Sequence, residues 1–474
     1  MDCVILGVSR ITRRDAVSTL VAGVMAAREY ANAQSGPAEE SAAADWIRKS
    51  AIGLRSLQAG SGFADLGHFR SALRGVRVVA LGEATHGTRE FFQAKHRMIE
   101  FLVRQMGFRT LALEVQYMKC IPVNRYLHGE GDEQDAQQLV KKNLSGVYQT
   151  EEVAAMVRWL RRYNDSVSPT DRVEFYGIDV QTPHLAAEAV VSYLARVSPS
   201  AAEAFEPVRA ETAPPSFKEY WTEYSQRSES SKAALTVALG RLLDLFITNE
   251  SAFSQRSSKA EYAEALMCAR ILVQSDAIRN VGDAESSENP RDRFMADMVQ
   301  RLLERRGATS RMILWAHDFH IWNFDPGSLS PQQRVQLQKD GLDFKSLGSY
   351  LRDRLGNAYY ALGLFFGEGG FQAVDDDGDL ESMDPMEFRI AATGAGGGAG
   401  VFLHSRPDDF LLDLRAMPSS AVADRWFAAP QEFPFAGATF SKAWPPERYL
   451  KRVAMRSNFD GALFIHNTTR ARSL

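Results

Sequence analysis

The chain has 474 residues, 45% of them hydrophobic and 24% charged, with a formal net charge of −4 and a pI near 6.2. That composition is globular and long enough for a large core, and it lacks the strongly basic balance of a dedicated nucleic-acid binder. No run of about 18 apolar residues occurs, so no membrane-spanning helix is expected in the mature protein.

The first 33 residues carry the three parts of a targeting segment. Arg10, Arg13 and Arg14 form a basic region, with Thr12-Arg13-Arg14-Asp15 similar to a twin-arginine signal. The apolar stretch Ala16–Ala27 follows, and Ala31-Asn32-Ala33 offers an A-x-A cleavage site before Gln34. Residues 1–33 are therefore expected to be an export signal, which places the mature protein in the periplasm. A retained amphipathic arm would leave it cytoplasmic. Residues 34–69 read as a small, acidic linker over 34–45 and then helices over Asp45–Leu57 and Leu66–Leu73.

The apolar run Val76–Leu81 breaks into Gly82-Glu83-Ala84-Thr85-His86-Gly87. Over Arg89–Met106, Phe91, Phe92, Met98, Ile99, Leu102, Val103 and Met106 recur at helical spacing, and Gly107 closes the helix. A second apolar run reaches Glu114, a third (Val173–Ile178) reaches Asp179, and a fourth (Arg311–Ala316) reaches His317. A fifth, Tyr359–Phe366, enters Gly367-Glu368-Gly369-Gly370, and Asp- and Gly-rich residues 370–400 read as a mobile loop. Gly461–Ile465 is the last run.

Apolar runs alternating with helices predict an α/β fold, a mainly parallel central sheet flanked by helices. Residues 70–182 and 309–474 would form the two parts of the core. The continuous helical pattern over 183–308 would form a large insertion over the carboxyl edge of the strands. Ligands of such sheets bind beyond that edge. Of three cysteines, Cys3 leaves with the signal, and Cys120 and Cys268 fit no metal spacing and read as lone core thiols.

His86, bracketed by Gly82 and Gly87 at a strand end, is the candidate general base, because imidazole accepts and returns a proton near neutral pH. Glu83 and Glu114 could orient it and stabilise its charged form. No G-x-S-x-G elbow or cysteine nucleophile is present, so water is the expected nucleophile. Lys95 could neutralise a substrate carboxylate or a developing oxyanion, or could be a solvated helix lysine; Arg89 is a weaker candidate of the same kind. His317 and His320, three apart, could bind substrate, stabilise an oxyanion or join the carboxylates as metal ligands. Asp179 could be a site carboxylate or a helix cap. His68, His96, His128, His184, His404 and His466 belong to no constellation.

With these motifs in place, the chain resembles the erythromycin esterase-like family. The resemblance rests on Leu81-Gly82-Glu83-Ala84-Thr85-His86-Gly87-Thr88-Arg89-Glu90-Phe91, Leu111–Val115, Thr150-Glu151-Glu152 with Trp159, and Tyr176-Gly177-Ile178-Asp179. It continues through Arg291-Asp292-Arg293-Phe294-Met295, Trp315-Ala316-His317 and Phe459-Asp460-Gly461-Ala462-Leu463-Phe464. The resemblance implies hydrolysis of an ester by activated water in a deep cleft under a helical lobe. His86 would be the base, Glu83 and Glu114 would position it and the water, and His317 would assist. Members that act on macrolides open the lactone ring. The family commonly has arginine where this sequence has Lys95, which keeps the charge but loses the planar fork.

The leading expectation is a metal-independent hydrolase of a small-molecule ester or lactone that needs no cofactor. A metal-dependent hydrolase using the same cluster, and a non-catalytic small-molecule binder of the same fold, remain open at this point. Site residues are expected to be His86, Glu83, Glu114 and His317 for catalysis, and Lys95, Asp179, His320 and Arg89 for substrate.

Overall fold

The computed structural model describes residues 36–131, 135–212, 222–280, 290–325, 345–374, 386–390, 397–441, 444 and 446–474. The expected export signal lies outside them.

The stretch read as a linker is instead mostly helix, Pro37–Ser50. Pro37 opens it, Glu39 reaches back to the Gly36 N–H at 3.2 Å, and Ala43 and Ile47 are buried. A helix-start signal was hidden in residues whose small, polar composition suggested a spacer.

The strands, in chain order, are β1 (Ile52–Gly53), β2 (Val78–Leu81), β3 (Thr110–Gln116), β4 (Glu174–Asp179), β5 (Met312–Trp315) and β6 (Tyr359–Ala373). They continue with β7 (Met386–Ile390), β8 (Phe410–Asp413), β9 (Gln431–Pro434), β10 (Leu450–Val453) and β11 (Gly461–Thr468). The main sheet has the order β1-β8-β11-β6-β2-β5-β3-β4, with β7 paired to β6, and β9 and β10 form a separate ribbon. The block β11-β6-β2-β5-β3-β4 is parallel, while β8, β1 and β7 are antiparallel additions. Every residue of β2 and β5 is buried, as expected of parallel strands covered on both faces.

Two features of the sheet differ from the sequence reading. β6 does not end at Phe366 but runs through the glycines to Ala373, because β11 pairs beside it as far as Thr468↔Gly369. The expected loop over 370–400 contains β7, and its residues 375–385 and 391–396 lie outside the described set.

Between β4 and β5 the described chain is helical, with helices His184–Val197, Pro199–Glu211, Glu229–Thr248, Glu250–Arg256, Lys259–Asn280 and Arg291–Arg306. They reach the carboxyl end of β4, where Ser275 and Arg279 both donate to the Gln181 carbonyl. Cys120 and Cys268 are buried free thiols.

The strand order decides the site. β2, β5, β3 and β4 are consecutive neighbours running in one direction, so Glu83, His317, Glu114 and Asp179 arrive at one edge. β3 also shifts register against β4 between Leu113 and Gln116, an irregularity that includes Glu114.

Candidate active site

The loop after β2 is stitched to its neighbours on both sides. Gly82 and Ala84 donate to Leu362 and Leu364 at 2.9 and 3.2 Å, and Ala436 donates to Ala84 at 2.9 Å. The Thr85 and Thr88 hydroxyls share a 2.5 Å hydrogen bond. The Gly87 carbonyl accepts from Gln372 at 3.0 Å and from Ala471 at 2.9 Å. A Cβ at Gly87 would lie 1.8 Å from the Gln372 carbonyl oxygen, so only glycine allows this approach.

Glu83 is the hub of the loop. Its Oε1 lies 2.7 Å from His86 Nδ1, and its Oε2 accepts from Lys95 Nζ at 2.6 Å and from Trp315 Nε1 at 3.0 Å. Burial alone would push the Glu83 carboxyl up, but Lys95 and His86 hold it below the usual carboxylate range. As an anion it can only accept, so His86 Nδ1 carries the proton and Nε2 is left as the basic atom. The His86 side chain retains 12% exposure, whereas Glu83 and Lys95 have none.

His317 caps the short helix Asp318–Ile321, and its Nδ1 accepts the Phe319 N–H at 3.2 Å. The proton therefore sits on Nε2, which is buried and has no partner among the described residues. Burial and the nearby His86 push the His317 pKa down to about 3, so the ring is neutral. The two rings stand 5.0 Å apart, tilted by 43°.

Glu114 lies behind His317. Its Oε2 accepts the His317 backbone N–H at 2.9 Å, and its Oε1 lies 2.9 Å from Arg291 Nη2 and 3.1 Å from His320 Nε2. Burial opposes ionisation of Glu114, but His320 and Arg291 hold its pKa well below the usual value. Arg291 also reaches both Asp179 oxygens, and His320 Nδ1 lies 2.8 Å from Asp292. Burial works against charge on His320, yet Asp292 and Glu114 push its pKa up to about 10. His320 is thus an imidazolium with a carboxylate on each nitrogen. Arg291 Nη1, 3.0 Å from His320 Nε2, is a close approach of two donors held together by Glu114 Oε1.

The structure thus gathers Glu83, His86, Glu114, Asp179, His317 and His320, but it gives other partners to five of the expected residues. Lys95 is not solvated: it is buried, and its ammonium bonds Glu83 and lies over the Trp315 ring, 4.4 Å from the centroid. Burial still brings its pKa down to about 8. Glu114 forms no hydrogen bond with His86; it orients His317 instead. Asp179 pairs with Arg291, and His320 lies between Glu114 and Asp292 in the same network. Arg89 turns away to Glu152, 3.2 Å distant. Arg291, Asp292 and Trp315 entered the sequence reading only as motif residues with no site role, and Tyr148 did not enter it, although the indole N–H of a buried tryptophan needs an acceptor and so pointed to one. Among the described residues no group of three or more His, Cys, Asp or Glu side chains is placed to hold a metal ion.

The family model for erythromycin esterase matches residues 103–468. The chain belongs to the erythromycin esterase family. It is 23% identical to erythromycin esterase type II of Escherichia coli, over 79% of this chain and 91% of that one. The solved structure of a succinoglycan biosynthesis protein shares the fold with a TM-score of 0.75 at 21% identity, covering 93% of this chain and 100% of that one. An erythromycin esterase mutant in its open conformation gives a TM-score of 0.66 at 15% identity, covering 88% and 97%. The family match begins after Glu83, His86 and Lys95, so within this erythromycin esterase family member those residues are placed by geometry.

Proposed function

We propose that this protein hydrolyses an ester or lactone of a small molecule, with His86 activating water. The observation that carries the proposal is the Glu83–His86 pair at 2.7 Å, which leaves Nε2 free beside the neutral, unpartnered Nε2–H of His317. His86 Nε2 takes a proton from water as the new C–O bond forms. The carbonyl electron pair moves to oxygen, and His317 Nε2–H donates to that oxyanion. On collapse the ester C–O bond breaks, and His86 returns its proton to the departing alkoxide.

The charges around the site favour this cycle. Among the described residues, Glu83, Glu114, Asp179 and Asp292 are ion-paired with three cations, Lys95, Arg291 and His320. The cluster is one positive charge short while His86 is neutral, and the proton that His86 accepts supplies it. The family and the name of the Escherichia coli relative support the hydrolytic reading, and a macrolide lactone is one member of the substrate class.

The test is a panel of esters, simple lactones and macrolides offered to the wild-type protein and to His86→Ala, each with and without a chelator. Wild-type turnover that survives chelation and falls by about 10³-fold or more in the variant is expected. Unchanged turnover in His86→Ala refutes the mechanism. Loss on chelation would point to metal-dependent hydrolysis, and binding without turnover of any compound to a non-catalytic protein.

A further inference from the structure

The neutral histidine is not the sole buried donor left without a partner beside His86. Tyr148 is 1% exposed, and its hydroxyl has no partner among the described residues. Its ring lies 6.5 Å from that of His86 and edge-on to Trp315 at 5.9 Å. A buried tyrosine ordinarily finds an acceptor for its O–H, and phenylalanine would fill the same space without that need.

The neighbouring carboxylates do not require this hydroxyl. Glu83 already accepts from Lys95 and Trp315 and pairs with His86, Glu114 accepts from Arg291 and the His317 N–H, and Asp179 pairs with Arg291. Burial, with the charges of Glu83, Glu114 and Asp179, raises the phenol pKa well above its ordinary value, so the group stays a donor. It is also firmly held. Tyr148 ends the turn Gly146–Tyr148, its N–H bonds Ser145 at 2.8 Å, and Thr150 caps the next helix.

We propose that Tyr148 is a catalytic residue, whose hydroxyl supplies the second hydrogen bond, beside His317 Nε2–H, to the oxyanion formed when water attacks the substrate carbonyl. The proposal rests on the hydrolytic reading above. Tyr148 keeps its proton throughout; the proton that moves is the one exchanged between water, His86 and the leaving oxygen.

The test compares Tyr148→Phe with wild type and His86→Ala on an ester that wild type hydrolyses. The readouts are kcat, KM, the melting temperature and affinity for a phosphonate monoester mimic of the tetrahedral intermediate. A fall in kcat of about 10²–10³-fold is expected, with KM changed less than threefold, an equal or higher melting temperature, and weaker phosphonate binding. A kcat within threefold of wild type overturns the proposal while His86→Ala, if inactive, leaves the hydrolytic reading standing. A lower melting temperature with kcat and KM lost together assigns Tyr148 to packing and also overturns it. Full activity in His86→Ala removes both.

Discussion

Lys95→Met is the sharpest perturbation of the site. It keeps the length of the side chain and deletes a charge that stands 2.6 Å from Glu83 inside a fully buried pair. At an effective dielectric of about 20, that separation corresponds to roughly 6 kcal/mol of attraction. Relief of the lysine's own desolvation offsets part of it, and breaking a buried pair from one side costs about 3–5 kcal/mol net. His86 and Trp315 still bond Glu83, so the lower end is expected. With Lys95 present, the depressed Glu83 pKa contributes stability above the ordinary carboxylate range, which is lost as pH falls through the depressed value. Without Lys95, burial dominates and the carboxylate becomes a liability at neutral pH. The gap between variant and wild type should therefore narrow on acidification. A protonated Glu83 no longer supports the His86 imidazolium, so kcat should fall by about 10²-fold. Urea denaturation at pH 5 and 7.5, with kcat and KM, measures both effects. The double variant Lys95→Met/Glu83→Gln should recover stability but not activity. Unchanged stability and kcat with a raised KM would refute this account and return Lys95 to substrate binding.

His320→Gln should change how stability depends on pH. The folded pKa of about 10 lies above the ordinary histidine value, so the charged ring stabilises fully below that ordinary value and progressively less as pH rises toward 10. Wild type should lose stability across that window by up to about 1.4 kcal/mol per pH unit, and the variant should follow a flatter line in urea titrations; parallel lines would show that His320 is not charged. Gly87→Ala forces a Cβ toward the Gln372 carbonyl and so displaces the loop that carries His86. At least a tenfold loss of kcat is expected, with a lowered melting temperature; wild-type kinetics would mean that the loop tolerates the shift.

Much of the fold was legible because β2, β3, β4 and β5 are short apolar runs that lead into a polar residue at their carboxyl ends. That the four runs ending in Glu83, Glu114, Asp179 and His317 lie side by side was not legible, since strand order is set by long-range pairing. The burial of Lys95 was available but unread. It shares the helical register of Phe92, Ile99 and Leu102, so a lysine there points into the core. Arg291 stood in a motif of the resemblance, but its partner was not legible, because its bond to Glu114 spans 177 residues. Trp315 was legible as part of the Trp315-Ala316-His317 motif, but its bond to Glu83, 232 positions away, was not.

The last described residues have a consequence of their own. Thr469 bonds Glu90 at a sequence separation of 379, Ala471 bonds Gly87, and Arg472 and Leu474 bond Glu151 and Gln149, next to Tyr148. The segment thus braces both the turn that bears His86 and the turn that bears Tyr148. Thr469, Arg470, Arg472 and Ser473 are exposed, and a segment with few buried contacts opens locally at lower free energy than the core. Hydrolysis should therefore disappear on warming before the helices melt, which would make turnover an early reporter of local opening at this seam.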